Sequence, residues 1–149
     1  MKILTRKFGE INIEDNKILN MPDGLPGFEN FTKFVILEDP KTAPLCWFQS
    51  AEEPNLCIIV MNPFLFMPDY SIDTKDFIEC RGWADVTPED LAIYVVVNVS
   101  QRDTGTRITA NLMGPLLINP KINEVVQVVI SDTTYSHQHN ILDPDSKEE

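Results

Sequence analysis

The reactive side chains of this sequence are few and scattered. Three cysteines, Cys46, Cys57 and Cys80, are its only thiols, and His137 and His139 its only imidazoles. A nucleophilic thiolate needs a base or a cation beside it, and both histidines lie far along the chain from every thiol. An odd cysteine count without CxxC spacing excludes a complete disulfide framework and suits a reducing compartment. Cys57, inside Leu56-Cys57-Ile58-Ile59-Val60, reads as a small buried hydrophobe. His137-Gln138-His139 would place two imidazoles on one face of a strand, a spacing that can hold a metal ion, but a histidine pair this near the tail reads more simply as solvated surface. Neither HExxH nor EF-hand spacing occurs.

Gln49-Ser50-Ala51 lacks the glycines of a nucleophile elbow, and no GxGxxG fingerprint is present. Carboxylate pairs are easy to find among 23 acidic residues, so finding them carries no weight. Gly24-Leu25-Pro26-Gly27 has the Gly-x-x-Gly spacing of a phosphate loop, but it lacks a lysine and opens no helix. The same residues make a structural corner, with glycine supplying positive φ, proline fixing φ, and Leu25 and Phe28 plugging the core beneath. No cofactor and no catalytic machinery are expected.

Charge narrows the partners. Twelve basic against 23 acidic residues give a net charge of −11. Nucleic acid and anionic membrane both select positive charge, so neither is expected as a direct partner, whereas a basic protein surface would be attracted. No apolar run approaches the roughly 20 residues of a membrane span. Met1-Lys2-Ile3-Leu4-Thr5-Arg6-Lys7 has no apolar h-region or cleavage site, so no signal peptide is expected and the cytoplasm is the default compartment.

The elements that must position these residues are short strands. Glu10 to Glu14 alternates polar with apolar, and Asp15-Asn16-Lys17 is expected to turn it into a hairpin with Ile18 to Met21. Phe34 to Leu37, Leu45 to Ser50 and Leu56 to Met61 read as strands, the last two as a hairpin. Phe64 to Tyr70 is apolar but bracketed by Pro63 and Pro68, which fits an edge or an ordered loop. Asp73 to Asp76 caps a short helix that Gly82 ends, and Thr87-Pro88-Glu89-Asp90 has the order of a capped helical turn. Leu91 to Val99 is the strongest strand. Thr106 to Leu112 follows, Met113-Gly114-Pro115 bends or breaks it, Leu116 to Asn119 resumes it, and Val125 to Ile130 is the last clear strand. Roughly nine or ten strands with at most two helical turns predict an all-β, antiparallel, barrel-like single domain over 1–142, with a flexible acidic tail over 143–149.

The residues left for recognition are apolar or amide side chains beside chain breaks. Trp47 and Phe64 read first as core. Phe66 and Tyr70, with Asp69 between them, sit in the proline-bracketed loop, where exposed aromatics anchor protein partners. Asn111 and Asn119 flank the Gly114-Pro115 break, where their amides are positioned to satisfy backbone groups. The candidate partner-binding residues are Trp47, Gln49, Phe66, Asp69, Tyr70, Asn111 and Asn119.

Several landmarks occur in order: Phe8-Gly9, Gly24 to Glu29, Trp47-Phe48-Gln49-Ser50, Asn62-Pro63 through Pro68-Asp69-Tyr70, Asn111 to Pro115 with Ile118-Asn119, and Gln127-Val128. In this order and spacing the sequence resembles the FliW family of bacterial flagellar assembly factors from about Phe8 to Leu142. The resemblance implies a cytoplasmic, non-enzymatic monomer. Such a protein binds CsrA, a small dimeric RNA-binding repressor of translation, and relieves its hold on the flagellin message; flagellin, the second partner, sequesters it in turn. The alternatives are an export chaperone that only shields flagellin, or a small β-barrel that binds an apolar ligand.

Overall fold

A computed structural model describes residues 1–131 and 134–145. The alternating apolar segments form eleven strands among them: β1 (Lys2–Thr5), β2 (Gly9–Asn12), β3 (Leu19–Asn20), β4 (Lys33–Glu38), β5 (Cys46–Ser50), β6 (Cys57–Met61), β7 (Ala92–Arg102), β8 (Gly105–Ala110), β9 (Leu116–Asn119), β10 (Glu124–Gln127) and β11 (His139–Leu142). One helix, α1 (Lys75–Arg81), lies between β6 and β7. β1 and β2 form a two-stranded sheet, and the other nine run in the order β11-β8-β7-β6-β5-β4-β3-β10-β9.

A further pairing closes that sheet. β7 is eleven residues long and serves three neighbours. Val95 to Val97 pair with β6, Val97 to Arg102 with β8, and Ala92 to Tyr94 with β9. The β7–β9 contact joins the two ends of the run from β7 to β9 into a ring, while β8 and β11 extend beyond it. The fold is therefore all-β, mostly antiparallel and barrel-like, with a parallel contact between Glu124 of β10 and Asn20 of β3. Met113-Gly114-Pro115 is the break between β8 and β9 that lets one stretch of chain follow two parts of β7.

Period-2 alternation then fills both faces. Phe34, Phe48, Val60, Leu116, Ile118 and Val125 point inward and pack with Met21 and Leu25. Phe34 and Phe48 stack with ring centroids 4.4 Å apart. Outside the ring, Trp83 and residues of α1 cover Leu117, Val126 and Val128. α1 ends on Gly82 in the left-handed conformation (φ 66°), as its sequence requires. Arg81 donates to Asp23 and Glu124, each at 2.8 Å, which ties the glycine corner and the helix to β10.

The corner carries no phosphate-loop geometry. Gly24 (φ 65°) and Gly27 (φ 85°) both take positive φ, and a Cβ on Gly24 would stand 2.6 Å from the Glu29 Cα. Leu25 is buried beneath it. Phe28 is not the expected plug: it is 47% exposed. Only one of the two apolar side chains can point inward from so tight a turn, whose Phe28 N–H donates back to the Leu25 carbonyl at 2.8 Å.

Two further expectations are corrected. The first hairpin joins β1 to β2, with the Thr5 hydroxyl accepting from the Phe8 N–H and donating to the Gly9 carbonyl, and Gly9 at φ 70°. Asp15–Lys17 is a 3-10 turn between sheets, and β3 pairs with β4 and β10 instead of β2. β11 was not expected as a strand; its short, mixed sequence becomes one because β8 offers an edge. The expected tail over 143–149 falls partly on 146–149, which lie outside the described residues. Within 143–145, Asp145 accepts from the Thr104 hydroxyl at 2.7 Å.

Candidate protein-binding surface

The outer face of the sheet carries one continuous cross-strand row. Leu37 faces Trp47, Trp47 faces Ile59, Ile59 faces Val97, Val97 faces Ala110, and Ala110 faces His139. The sequence neighbours of Trp47 are Cys46 and Phe48, both in the barrel interior, so Trp47 must point outward.

Two loops define what the row leaves open. At one end the β1–β2 turn lays the Lys7 Nζ 4.1 Å from the centre of the Trp47 ring and sets the edge of Phe8 against it at 6.2 Å. At the other, the chain after β6 packs Phe66, Met67, Tyr70 and Ile72 onto Val95, Val97 and Leu112. Phe66 stacks on His139, centroids 5.8 Å apart. Trp47 and Phe66 therefore share one face, although their chain segments are separate.

The loop start explains its exposed side chains. Pro63 opens a 3-10 turn, and the Asn62 side chain accepts from the Phe64 N–H at 2.9 Å. The turn projects Phe64 and Leu65, the latter 60% exposed, while Asp69 is exposed farther along. Leu65, with Pro40, Pro44 and Leu45, borders a concavity of about 510 Å³. Sequence reasoning placed Phe64 in the core and passed over Leu65. The missed signal was the Asn62-Pro63 cap, which commits the next residues to a tight turn with outward side chains.

Tyr70 corrects its reading as an exposed anchor. It is 3% exposed, its hydroxyl donates to the Leu112 carbonyl at 2.6 Å, and its ring lies against Tyr135 at 4.8 Å. Burial holds its pKa far above the ordinary tyrosine value. Gln49 is fully buried as well. Its Nε2 donates to the carbonyls of Ser50, Pro54 and Leu56 at 3.0 to 3.3 Å, pinning the β5–β6 turn. The Asn111 Oδ1 accepts from the N–H groups of Met113 and Gly114, and the Asn119 Oδ1 from that of Lys121. These amide oxygens are committed to backbone. Trp47, Phe66 and Asp69 keep solvent-facing surface.

Little here suits bond-making chemistry. Burial pushes the Cys46 and Cys57 thiols up, so neither is a ready thiolate at neutral pH; Glu38 adds to the shift at Cys46, and Lys7 offsets part of it at Cys57. Among the described residues no group of three or more His, Cys, Asp or Glu could hold a metal ion. No helix among them is long and apolar enough to cross a membrane. What the face offers is aromatic and aliphatic contact area rimmed by charge, the composition of a protein interface.

The chain is similar to known proteins over nearly its whole length. The family described as "FliW protein" matches residues 2–141. The flagellar assembly factor FliW of Treponema denticola is 39% identical, over 95% of this chain and 94% of its own. That of Alkaliphilus metalliredigens is 37% identical, over 96% and 87%. A crystal structure of the flagellar assembly factor FliW superposes with a TM-score of 0.81 at 29% identity, covering 98% of this chain and all of that one.

Proposed function

The chain belongs to the FliW family of flagellar assembly factors, and from that membership we propose that it is a cytoplasmic, non-enzymatic antagonist of the RNA-binding repressor CsrA. In this reading it binds CsrA and relieves repression of flagellin synthesis. Flagellin, as it accumulates, binds the same factor and takes it away from CsrA; export of flagellin reverses the exchange. The family match across nearly the whole chain carries the proposal.

The charge supports it. A body at −11 is drawn to the basic surface of an RNA-binding protein, and once bound it raises the cost of bringing phosphates nearby, even from a separate site. Antagonism of this kind requires only that RNA-free CsrA bind the factor more tightly than RNA-loaded CsrA. By reciprocity RNA then weakens factor binding by the same ratio.

Titration of the protein into a labelled CsrA–RNA complex tests this. The RNA affinity is expected to fall to a limiting value and stay there. A fall that continues without a plateau shows direct competition, and no fall removes the antagonism of CsrA. The contact face is proposed to be the row from Trp47 to Phe66 with Phe64, Leu65 and Asp69. The double variant Asp69→Lys, Leu65→Ser alters only exposed side chains and should weaken binding of CsrA or flagellin at least about tenfold, with unfolding unchanged. Unaltered binding of both would remove this face.

A further inference from the structure

The barrel wall has a gap beside β4. β3 is two residues long, whereas β4 is six, so only Phe34 and Lys33 of β4 find partners on that side. The direction of the remaining peptide groups follows from bonds at the strand's start. The Lys33 carbonyl accepts from Ala51, on the β5 side, and the Thr32 carbonyl from Met21, on the β3 side. Odd-numbered groups of β4 therefore face β5, and even-numbered groups face the gap. Ile36 and Glu38 turn both N–H and C=O into it, and no partner for them occurs among the described residues.

The opposite bank has the same character. Met1 and Ile13 exchange both backbone bonds, at 2.7 and 2.8 Å, so the odd residues of this segment face β1. The N–H and C=O of Asn12 and the N–H of Glu14 face away from it. Between the banks lies a cleft of about 720 Å³ floored by Leu19, Ala92, Tyr94 and Ile118 of the barrel mouth. Glu14 and Glu38 line it against a single cation, Lys17.

We propose that this cleft is a strand-acceptor slot: an extended segment of a partner protein, alternating apolar with basic residues, pairs with Ile36 and Glu38 on one bank and Asn12 and Glu14 on the other. An unpaired edge recruits backbone regardless of side chains, and the floor and rim then select among segments. The apolar positions rest on the barrel mouth, and the basic ones meet Glu14 and Glu38. The slot adjoins the outer row at Leu37 but is built on different backbone groups, and its occupancy does not depend on whether CsrA is the partner of that row.

The test uses the whole protein, amide hydrogen exchange by NMR, and a synthetic peptide of about eight residues alternating valine with lysine at ~1 mM. In the free protein the amides of Asn12, Glu14, Ile36 and Glu38 should exchange quickly, while Val35 and Leu37 stay protected. With peptide, the first set should slow at least about tenfold. A peptide alternating valine with glutamate should bind at least about tenfold more weakly. Glu38→Pro removes a slot-facing N–H without removing a β4–β5 bond and should weaken the lysine peptide at least about fivefold; Glu38→Lys, which keeps the N–H, serves if the proline variant does not fold. The proposal is overturned if the four amides are already protected in the free protein, if the peptide leaves them unchanged, or if both Glu38 variants bind it like the parent. Protection that appears without peptide as protein concentration rises would also overturn it, by making a second copy the occupant.

Discussion

The barrel has two seams that contrast in construction. Where β7 meets β9, three residue pairs close the ring, and the neighbouring chain break is secured by side-chain amides: Asn111 accepts from two backbone N–H groups, and the Gln127 Nε2 donates to the Gly114 carbonyl at 3.0 Å. Where β3 meets β4, two pairs suffice, and the strand edge runs on without a partner. The first seam spends its polar groups internally and half-buries them. The second leaves them for something else. A closed sheet needs only one continuous set of bonds to hold its core, so a fold can be complete in packing while keeping an edge in reserve.

The contrast breaks first, and hardest, at the closed seam. Leu116 faces Tyr94 on one side and Gln127 on the other with its side chain in the interior. Leu116→Ala should cost about 3 to 4 kcal/mol in denaturant unfolding. A cost below ~1 kcal/mol would mean that this seam does not hold the core. Asn111→Ala leaves the N–H groups of Met113 and Gly114 without their acceptor and should cost about 2 kcal/mol; a neutral result would show that water replaces the amide and that the bend is self-supporting.

At the open seam the same experiments should register little. Glu14→Ala changes an exposed side chain on the edge of the cleft and should move stability by less than ~0.5 kcal/mol. A larger loss would mean that the cleft is part of the fold's own support. The smallest effect is a pH dependence at the far end of the closed seam. Asp90 accepts from the Thr87 N–H at 2.9 Å and lies 3.5 Å from Lys121, bridging the entry to β7 and the exit of β9. The bond from Thr87 does most to hold its carboxyl below the ordinary aspartate value, with Lys121 adding to it. Its contribution is therefore fully present above about pH 4 and is lost as pH falls through the depressed value. Parent and Asp90→Asn should differ in melting temperature at pH 6 and converge near pH 2; a gap that persists at low pH would assign the effect to packing.

Much of the fold was legible because its signals are local. Apolar runs and alternation marked β4 to β10, with the ends of β7 and β10 missed by three residues; Gly82 and the Thr87-Pro88 cap marked the helical turns, and Gly114-Pro115 marked the break that permits closure. The candidate surface was legible only in part. Phe66 and Asp69 stood out from a proline-bracketed loop, but Tyr70 in the same loop turns inward because the Leu112 carbonyl, forty-two residues away, accepts from its hydroxyl. Phe28 failed for the opposite reason, since a tight corner has room beneath it for one apolar side chain and Leu25 occupies it.

By itself the sequence determined the all-β class, most of the breaks between strands, the acidic character that disfavours nucleic acid and anionic membrane, and the family resemblance. Only the tertiary structure decided which strand lies beside which. Period-2 alternation states that a segment has an inner and an outer face but carries no address for its neighbour, so the β1–β2 hairpin, the late strand β11 and the triple pairing of β7 all depended on the assembled sheet. The cleft beside β4 belongs to this second kind. Its unpaired groups are ordinary backbone, and they matter because β3 begins only at Leu19, opposite Phe34, so that Ile36 and Glu38 lie beyond its start.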